Sequence, residues 1–320
     1  MPPPTLSRRE LGVVAAAALL SACGVAGPRL PGAIPPAASA RKRVAVRHRG
    51  RVVDVDVEEY VLASALAEVA PVDDSPKTVA RIFETQAVLA RSFAASHLGR
   101  HRAEGFDLCD TTHCQLYDPA RIRTSRFAAA ARGAAHRTAG QVLVYGGRPA
   151  EALFHADCGG HTAAAERVWG GPPVPYLRSA PDAVRPAAHR AWAQAIPREE
   201  LRAALNGDTR SRVGRVLEAI EIRERDGSGR VVEVALAGEQ RHLLRGEDLR
   251  AIVNRRFGVR ALQSTRFSVR QDAGAWVFEG TGFGHGVGLC QLGAAARARR
   301  GDSLEQILTA YFPGTRLRSW

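Results

Sequence analysis

The chain has 320 residues, enough for one large domain or two ordinary ones at roughly 100–200 residues each. Hydrophobic residues make up 45%, which supports a sizeable core, and no run approaches the roughly 20 apolar residues of a spanning helix. The net charge of +13 is almost wholly arginine, since Lys42 and Lys77 are the only lysines, and it points to an anionic partner: nucleic acid, a membrane surface or an acidic envelope polymer.

The N-terminus chooses among these. Ser7-Arg8-Arg9-Glu10 precedes an apolar run, Leu11–Leu20, which ends in Leu20-Ser21-Ala22-Cys23. A charged start, a short apolar core and a small-residue cleavage site are the parts of a secretory signal. Leu-Ser-Ala-Cys resembles a bacterial lipobox, in which Cys23 would be acylated and become the new N-terminus. An ordinary cleaved signal with an incidental Cys is the plainer alternative. The arginine pair suits a twin-arginine signal or a general one equally. The expected plan is a signal peptide over 1–22 and a Pro/Ala-rich tether over 23–42, with a folded part over 43–320 held to the membrane by its lipid alone. Export to the cell envelope, in the periplasm or on the outer face of the cytoplasmic membrane, removes nucleic acid from the expected partners.

In the folded part, Val44–Val46 and Val52–Val57 alternate around His48-Arg49-Gly50-Arg51, a hairpin signal. Glu58–Ala67 reads as a helix. Ser75-Pro76 is an N-cap with Pro at the first helical position, and it opens a helix that ends near Gly99. Gln86 and His97 fall within that helix's apolar stripe of Val79, Ile82, Phe83, Ala90 and Phe93, either as satisfied core groups or as site residues. Phe127–Arg137 reads as a helix, and Gln141–Tyr145 with Pro149–His155 as a hairpin over Gly146-Gly147. A middle sub-domain over about 185–262 holds helix Arg198–Ala204 and strands Leu217–Glu224 and Val231–Leu236. Helix Gly246–Arg256, strands near Ser264–Arg270 and Trp276–Phe278, and helices near Gln291–Arg299 and Ser303–Tyr311 complete the chain. Helices and strands mix without regular βαβ alternation, so the fold class is α+β.

Three features could carry chemistry. Glu68 closes the first helix among Leu66, Ala67, Val69 and Ala70, where desolvation would raise its pKa toward a general acid's range, though a solvated helix-end Glu is the plainer reading. Gly280, Gly282, Gly284, Gly286 and Gly288 alternate around His285. In an extended chain they would share one face, open to another backbone or a ligand. No phosphate-loop or dinucleotide spacing fits them. Cys and His cluster at Cys109-Asp-Thr-Thr-His113-Cys114 and at His155-Ala-Asp-Cys158-Gly-Gly-His161. Zinc ligands, a disulfide such as Cys109–Cys114, and a Cys114 or Cys158 nucleophile of the peptidase type all remain open.

In chain order the following segments resemble the SpoIID/LytB family of sporulation proteins and amidase enhancers, across about residues 44–317. They are Val57-Glu58-Glu59-Tyr60 running to Glu68; Glu84-Thr-Gln86 to Arg91-Ser-Phe93; Asp110-Thr-Thr-His113-Cys-Gln115; His155-Ala-Asp-Cys158-Gly-Gly-His161-Thr162; Tyr176-Leu-Arg178; Gly282-Phe-Gly284-His285-Gly286-Val-Gly288-Leu-Cys-Gln291; and Tyr311-Phe-Pro313-Gly314. The resemblance implies two lobes of helices and antiparallel strands around a glycan-binding groove. It also implies a peptidoglycan lytic transglycosylase acting on strands already stripped of stem peptides by an N-acetylmuramoyl-L-alanine amidase. The alternative it offers is a non-catalytic peptidoglycan-binding enhancer of such an amidase.

The family's catalytic Glu falls on Glu68, reversing the local reading. Gln86, Arg91, His285 and Gln291, with Gly284 and Gly286, are expected around the sugar. The implied chemistry needs no cofactor. A structural zinc, as in some relatives, would fall on Cys109, His113 and Cys114, with Cys158 and His161 next. The chain departs from the family's GHGxGMSQ pattern at Leu289 and Cys290, which adds a thiol.

Overall fold

The computed structural model describes residues 43–72, 74–182 and 189–320; the expected signal, tether and Cys23 lie outside the described residues. β1 (Arg43–His48) and β2 (Arg51–Asp56) form the expected hairpin. Arg49 and Gly50 in its two-residue turn both take positive φ, 49° and 80°, as the right-handed twist of the strands favours. β3 (Leu108–Cys109) adds to β1 in parallel.

α1 (Val57–Glu68) starts where the Asp56 side chain accepts the Glu58 N–H. Val57 and every residue from Tyr60 to Ala67 are buried, so this helix is interior on nearly all sides. It packs against α2 (Pro76–His97), which is capped by Ser75 at the Thr78 N–H as the sequence predicts, and against α4 (Ala128–Arg137), reached through the short α3 (Arg121–Thr124). β4 (Gln141–Tyr145) turns back through β5 (Arg148–Pro149), but the expected hairpin stops there. β6 (Phe154–His155) leaves that sheet and pairs in parallel with a strand far along the chain. α5 (Ala165–Trp169) follows.

The middle unit comprises β7 (Ala191–Pro197), α6 (Arg198–Asn206), β8 (Leu217–Arg225), β9 (Val231–Gly238), β10 (His242–Arg245), α7 (Gly246–Phe257), β11 (Phe267–Asp272) and β12 (Ala275–Thr281). Its antiparallel sheets are ordered β10-β9-β8 and β11-β12-β7. It has its own core, from Trp192 through Leu236 and Leu249 to Phe278. That core passes residue 262, where the sequence places the boundary, because β12 pairs along its length with β7 at the unit's start.

The remaining elements return to the first unit. They are β13 (Leu289–Cys290), the partner of β6; α8 (Gln291–Arg299); α9 (Leu304–Tyr311), closed by a Ser303–Gln306 capping box; and β14 (Arg316–Ser319), which pairs with β4. Ile307, Leu308 and Phe312 share one core with Val88 and Leu89 of α2 and Leu143 of β4. The middle unit is thus an insertion between α5 and β13 in an α+β fold. Among the described residues no helix is long and apolar enough to cross a membrane. An open concavity of about 430 Å³ lies on the β8–β10 sheet, lined by Glu218, Arg223, Arg241 and His242, and none of the expected site residues borders it.

Candidate functional site

Glu68 is the last residue of α1. Its Oε1 accepts the Leu116 N–H at 2.8 Å, and among the described residues no other hydrogen bond or ion pair reaches the carboxylate. Burial raises its pKa from 4.5 to about 7, against the single stabilising N–H of Leu116. A carboxyl poised there holds its proton half the time near neutral pH and can both give and take one. Burial at the end of α1 thus has the effect on the carboxyl that its apolar neighbours in the sequence suggest.

The loop that supplies Leu116 is built around sulfur and imidazole. Cys109, His113, Cys114 and also His101 bring their ligand atoms within 4.8 Å of one another. His101 Nε2 lies 3.4 Å from Cys114 Sγ, and His113 Nδ1 lies 3.9 and 3.8 Å from Cys109 and Cys114 Sγ. With Zn–S near 2.3 Å and Zn–N near 2.0 Å, the ligand atoms of a tetrahedral site stand about 3.5 Å apart, so this quartet fits a structural zinc. Glu104 Oε1 sits 2.5 Å from His101 Nδ1 and fixes that ring with Nε2 toward the sulfurs, the outer partner that a ligating histidine usually has. Cys109 and Cys114 are free cysteines, and so are Cys158 and Cys290; all four are buried. His161 does not join the quartet, since its ring faces Thr162 O and Ser179.

The residues expected around a sugar divide into two groups. Gln86 of α2 and Gln291 of α8 do meet: Gln291 Nε2 donates to Gln86 Oε1 at 3.4 Å, and the buried Gln86 Nε2 has no partner among the described residues. Arg91 is different. It has no exposed surface, donates to both Glu58 carboxylate oxygens at 2.8 and 2.6 Å, and donates to Gln141 O at 3.0 Å. It ties α1, α2 and β4 together and does not face a groove.

The glycine run also departs from expectation. It is not extended: Gly282, Gly284, Gly286 and Gly288 take φ of 84°, 104°, 84° and 71°. Protein atoms fill the spaces their missing side chains leave. A Cβ on Gly284 would meet His155 Cβ at 2.8 Å, and one on Gly286 would overlap the Arg230 guanidinium. Gly284 and Gly286 thus admit other parts of the fold rather than a ligand.

His285 is held in the same way. Its Nε2 donates to Phe154 O at 3.0 Å, its Nδ1 accepts the Val287 N–H at 3.1 Å, and the Trp169 ring lies tilted against it at 5.1 Å. Burial and the nearby Arg250 and Arg230 hold its pKa down to about 3, so it stays neutral. Among the described residues no hydrogen bond joins Glu68 to Gln86, Arg91, His285 or Gln291. Of the two cysteines considered as a peptidase nucleophile, Cys158 has no exposed surface and its thiol donates to Asp182, so it is closed to a peptide chain, and Cys114 is part of the Cys/His quartet.

Three contributors escape sequence reasoning. His101 lies too far before Cys109 for a short-spacing motif. Leu116 acts through its backbone, which no side-chain pattern reveals. Arg230, buried in the middle unit, donates to Gly284 O and Cys158 O at 3.1 and 3.0 Å and joins that unit to the glycine segment.

Residues 47–145, which include Glu68 and the Cys/His quartet, match the family model described as Stage II sporulation protein (SpoIID). Residues 186–288 match a domain of unknown function (DUF8618). An uncharacterized protein of Brachyspira hyodysenteriae is 28% identical over 266 residues, covering 82% of this chain and 67% of that protein. Stage II sporulation protein D of Bacillus subtilis is 27% identical over 83% of this chain and 75% of its own length. The Amidase enhancer of the same organism is 25% identical over 74% of this chain and 38% of its own. Residues 47–145 thus carry a SpoIID domain, and over most of its length the chain is similar to relatives named Stage II sporulation protein D and Amidase enhancer.

Proposed function

We propose that the chain is a peptidoglycan lytic transglycosylase that cleaves the MurNAc–GlcNAc bond of peptide-stripped glycan strands. The observation that carries this is Glu68, one carboxyl raised to about 7 by burial, with the Leu116 N–H as its sole partner among the described residues. Protonated, Glu68 gives its proton to the bridging oxygen as the glycosidic bond breaks. Ionised, it then takes the proton from the muramoyl C6 hydroxyl as that oxygen attacks C1. One carboxyl serves both steps, no water is consumed, and the product is a 1,6-anhydromuramoyl end, unlike the two-carboxylate hydrolysis of most glycosidases. Gln86 and Gln291, hydrogen-bonded to each other, are the candidate sugar-positioning pair.

The cell envelope fits this reading. Cys23 would carry a lipid anchor, and the arginine-rich surface would favour anionic wall polymer. His101, Cys109, His113 and Cys114 would hold a zinc that braces the loop without entering the chemistry. An N-acetylmuramoyl-L-alanine amidase would supply the stripped strands; the name of the Bacillus subtilis Amidase enhancer points the same way and raises the second reading, a non-catalytic enhancer.

Purified protein and its Glu68→Gln variant incubated with peptide-free glycan strands, with products read by mass spectrometry, test the proposal. Anhydro-ended fragments from the wild type alone are expected. Intact strands from both proteins, with binding retained, would replace the enzyme by the enhancer.

A further inference from the structure

A second pair of cysteines stands apart from the zinc-ligand quartet. Cys290 is the N-cap of α8, and Cys158 lies in the turn after β6. The two are 132 positions apart, yet the Cys158 N–H donates to Cys290 Sγ at 3.3 Å and the two thiols are within hydrogen-bond reach of each other. The Cys290 sulfur is therefore seated against the Cys158 backbone, a close approach of the kind a disulfide needs. Neither residue has any exposed surface. Cys290 is also the position where this chain carries sulfur in place of the hydroxyl of the family pattern.

We propose that Cys158 and Cys290 form a disulfide as the chain folds outside the cytoplasm, bolting the turn after β6 to the start of α8. Cys290 thiolate attacks one sulfur of a small-molecule or protein disulfide and releases a thiol. Cys158 thiolate then attacks the Cys290 sulfur and releases the second thiol, so that two cysteine thiols are oxidised and one external disulfide is reduced.

The surroundings suit the oxidised form. The Gly293 N–H, which now reaches Cys290 Sγ at 3.4 Å, and the Gly160 N–H, which reaches Cys158 Sγ at 3.3 Å, can stay on sulfur. The bond that must go is Cys158 Sγ–H to Asp182 Oδ2, and Asp182 keeps the Tyr311 hydroxyl at 3.0 Å on its other oxygen. A disulfide is neutral, which a fully buried place favours. His155 lies in the same cluster, but the three side chains there are one ligand short of the four a structural zinc takes. The bridge would also anchor Gln291, the next residue, which reaches across to Gln86.

The test is to refold the full chain in a reduced and oxidised glutathione buffer containing zinc, denature it with chelator, alkylate it and map its peptides. The expected result is that the Cys158 and Cys290 peptides are recovered linked, while Cys109 and Cys114 are alkylated. The Cys290→Ser variant should leave Cys158 alkylated, which shows that the link is specific. Alkylation of both Cys158 and Cys290 in the wild type would overturn the proposal, as would linkage of either to Cys109 or Cys114. So would a second zinc equivalent in the native protein that Cys290→Ser removes, which would make the cluster a metal site.

Discussion

Removal of the Glu68 charge should stabilise the folded protein at alkaline pH, and the size of the effect follows from where the carboxyl sits. Its pKa is 4.5 in the open chain and about 7 when folded. At about 1.4 kcal/mol per pH unit of difference, ionisation costs the folded state roughly 3 kcal/mol at most. The side chain is half-buried, so solvent at the helix end reduces this to about 1–3 kcal/mol. At about pH 4 the carboxyl is mostly protonated in both states and the cost is small. As pH rises past 4.5 the unfolded chain gives up the proton first, so the folded state loses ground until about 7, where it too is ionised.

Gln keeps an oxygen for the Leu116 N–H and carries no charge. The stability difference between Glu68→Gln and wild type, measured by urea unfolding, should therefore be small at about pH 4 and reach about 1–3 kcal/mol in favour of the variant at about pH 8. All other titrating groups are common to both proteins and cancel. A difference that stays flat across this range, or favours the wild type at high pH, would refute a desolvated Glu68 and with it the acid–base reading.

Glu58→Ala should cost about 3–5 kcal/mol in urea unfolding because it strands the buried Arg91 charge, whereas Arg91→Met should cost less, since Glu58 keeps 40% of its side-chain surface in water; equal losses would contradict the clamp. Gly286→Ala should destabilise by about 2 kcal/mol or more, through φ of 84° and collision with Arg230, and a neutral effect would reopen the glycine face as a ligand surface. Binding to isolated sacculi should weaken as salt rises, and binding that ignores salt would remove the arginine surface from the account.

The helices were legible because their ends announce themselves: Ser75-Pro76 opens α2, and Gly99 follows just past its end. The glycine run was misread because alternation says only that side chains are missing. It is silent on whether backbone takes φ near 70–104°, as here, or runs extended. Arg91 was expected near the sugar only through the family resemblance; its partner Glu58 sits on another helix and reads as an ordinary first-turn carboxylate, so the ion pair left no local signal. The pairing of β6 with β13 was invisible, as a long-range parallel pair of two-residue strands leaves no local pattern. Glu68 was the reverse case: local sequence suggested desolvation, but only the packed helix and the Leu116 N–H show how far it goes and what opposes it.

Three consecutive residues explain why the metal-ligand loop and Glu68 should respond together. Cys114 belongs to the Cys/His quartet proposed to hold zinc, the Gln115 Oε1 accepts the buried Tyr60 hydroxyl at 3.2 Å, and the Leu116 N–H reaches Glu68 at 2.8 Å. The loop is thus fastened at one end by its sulfur and imidazole ligands and at the other by α1. Cys114→Ser should reduce bound zinc from about one equivalent toward none and loosen the loop. The Leu116 N–H favours the ionised carboxylate, so its withdrawal drives the Glu68 pKa above its present value of about 7. The pH-dependent stability difference made by Glu68→Gln, measured with Cys114→Ser present in both proteins, should then extend to higher pH than in the parent pair. Zinc lost with that profile unmoved would show that α1 alone sets Glu68 and that the metal-ligand loop is a separate brace.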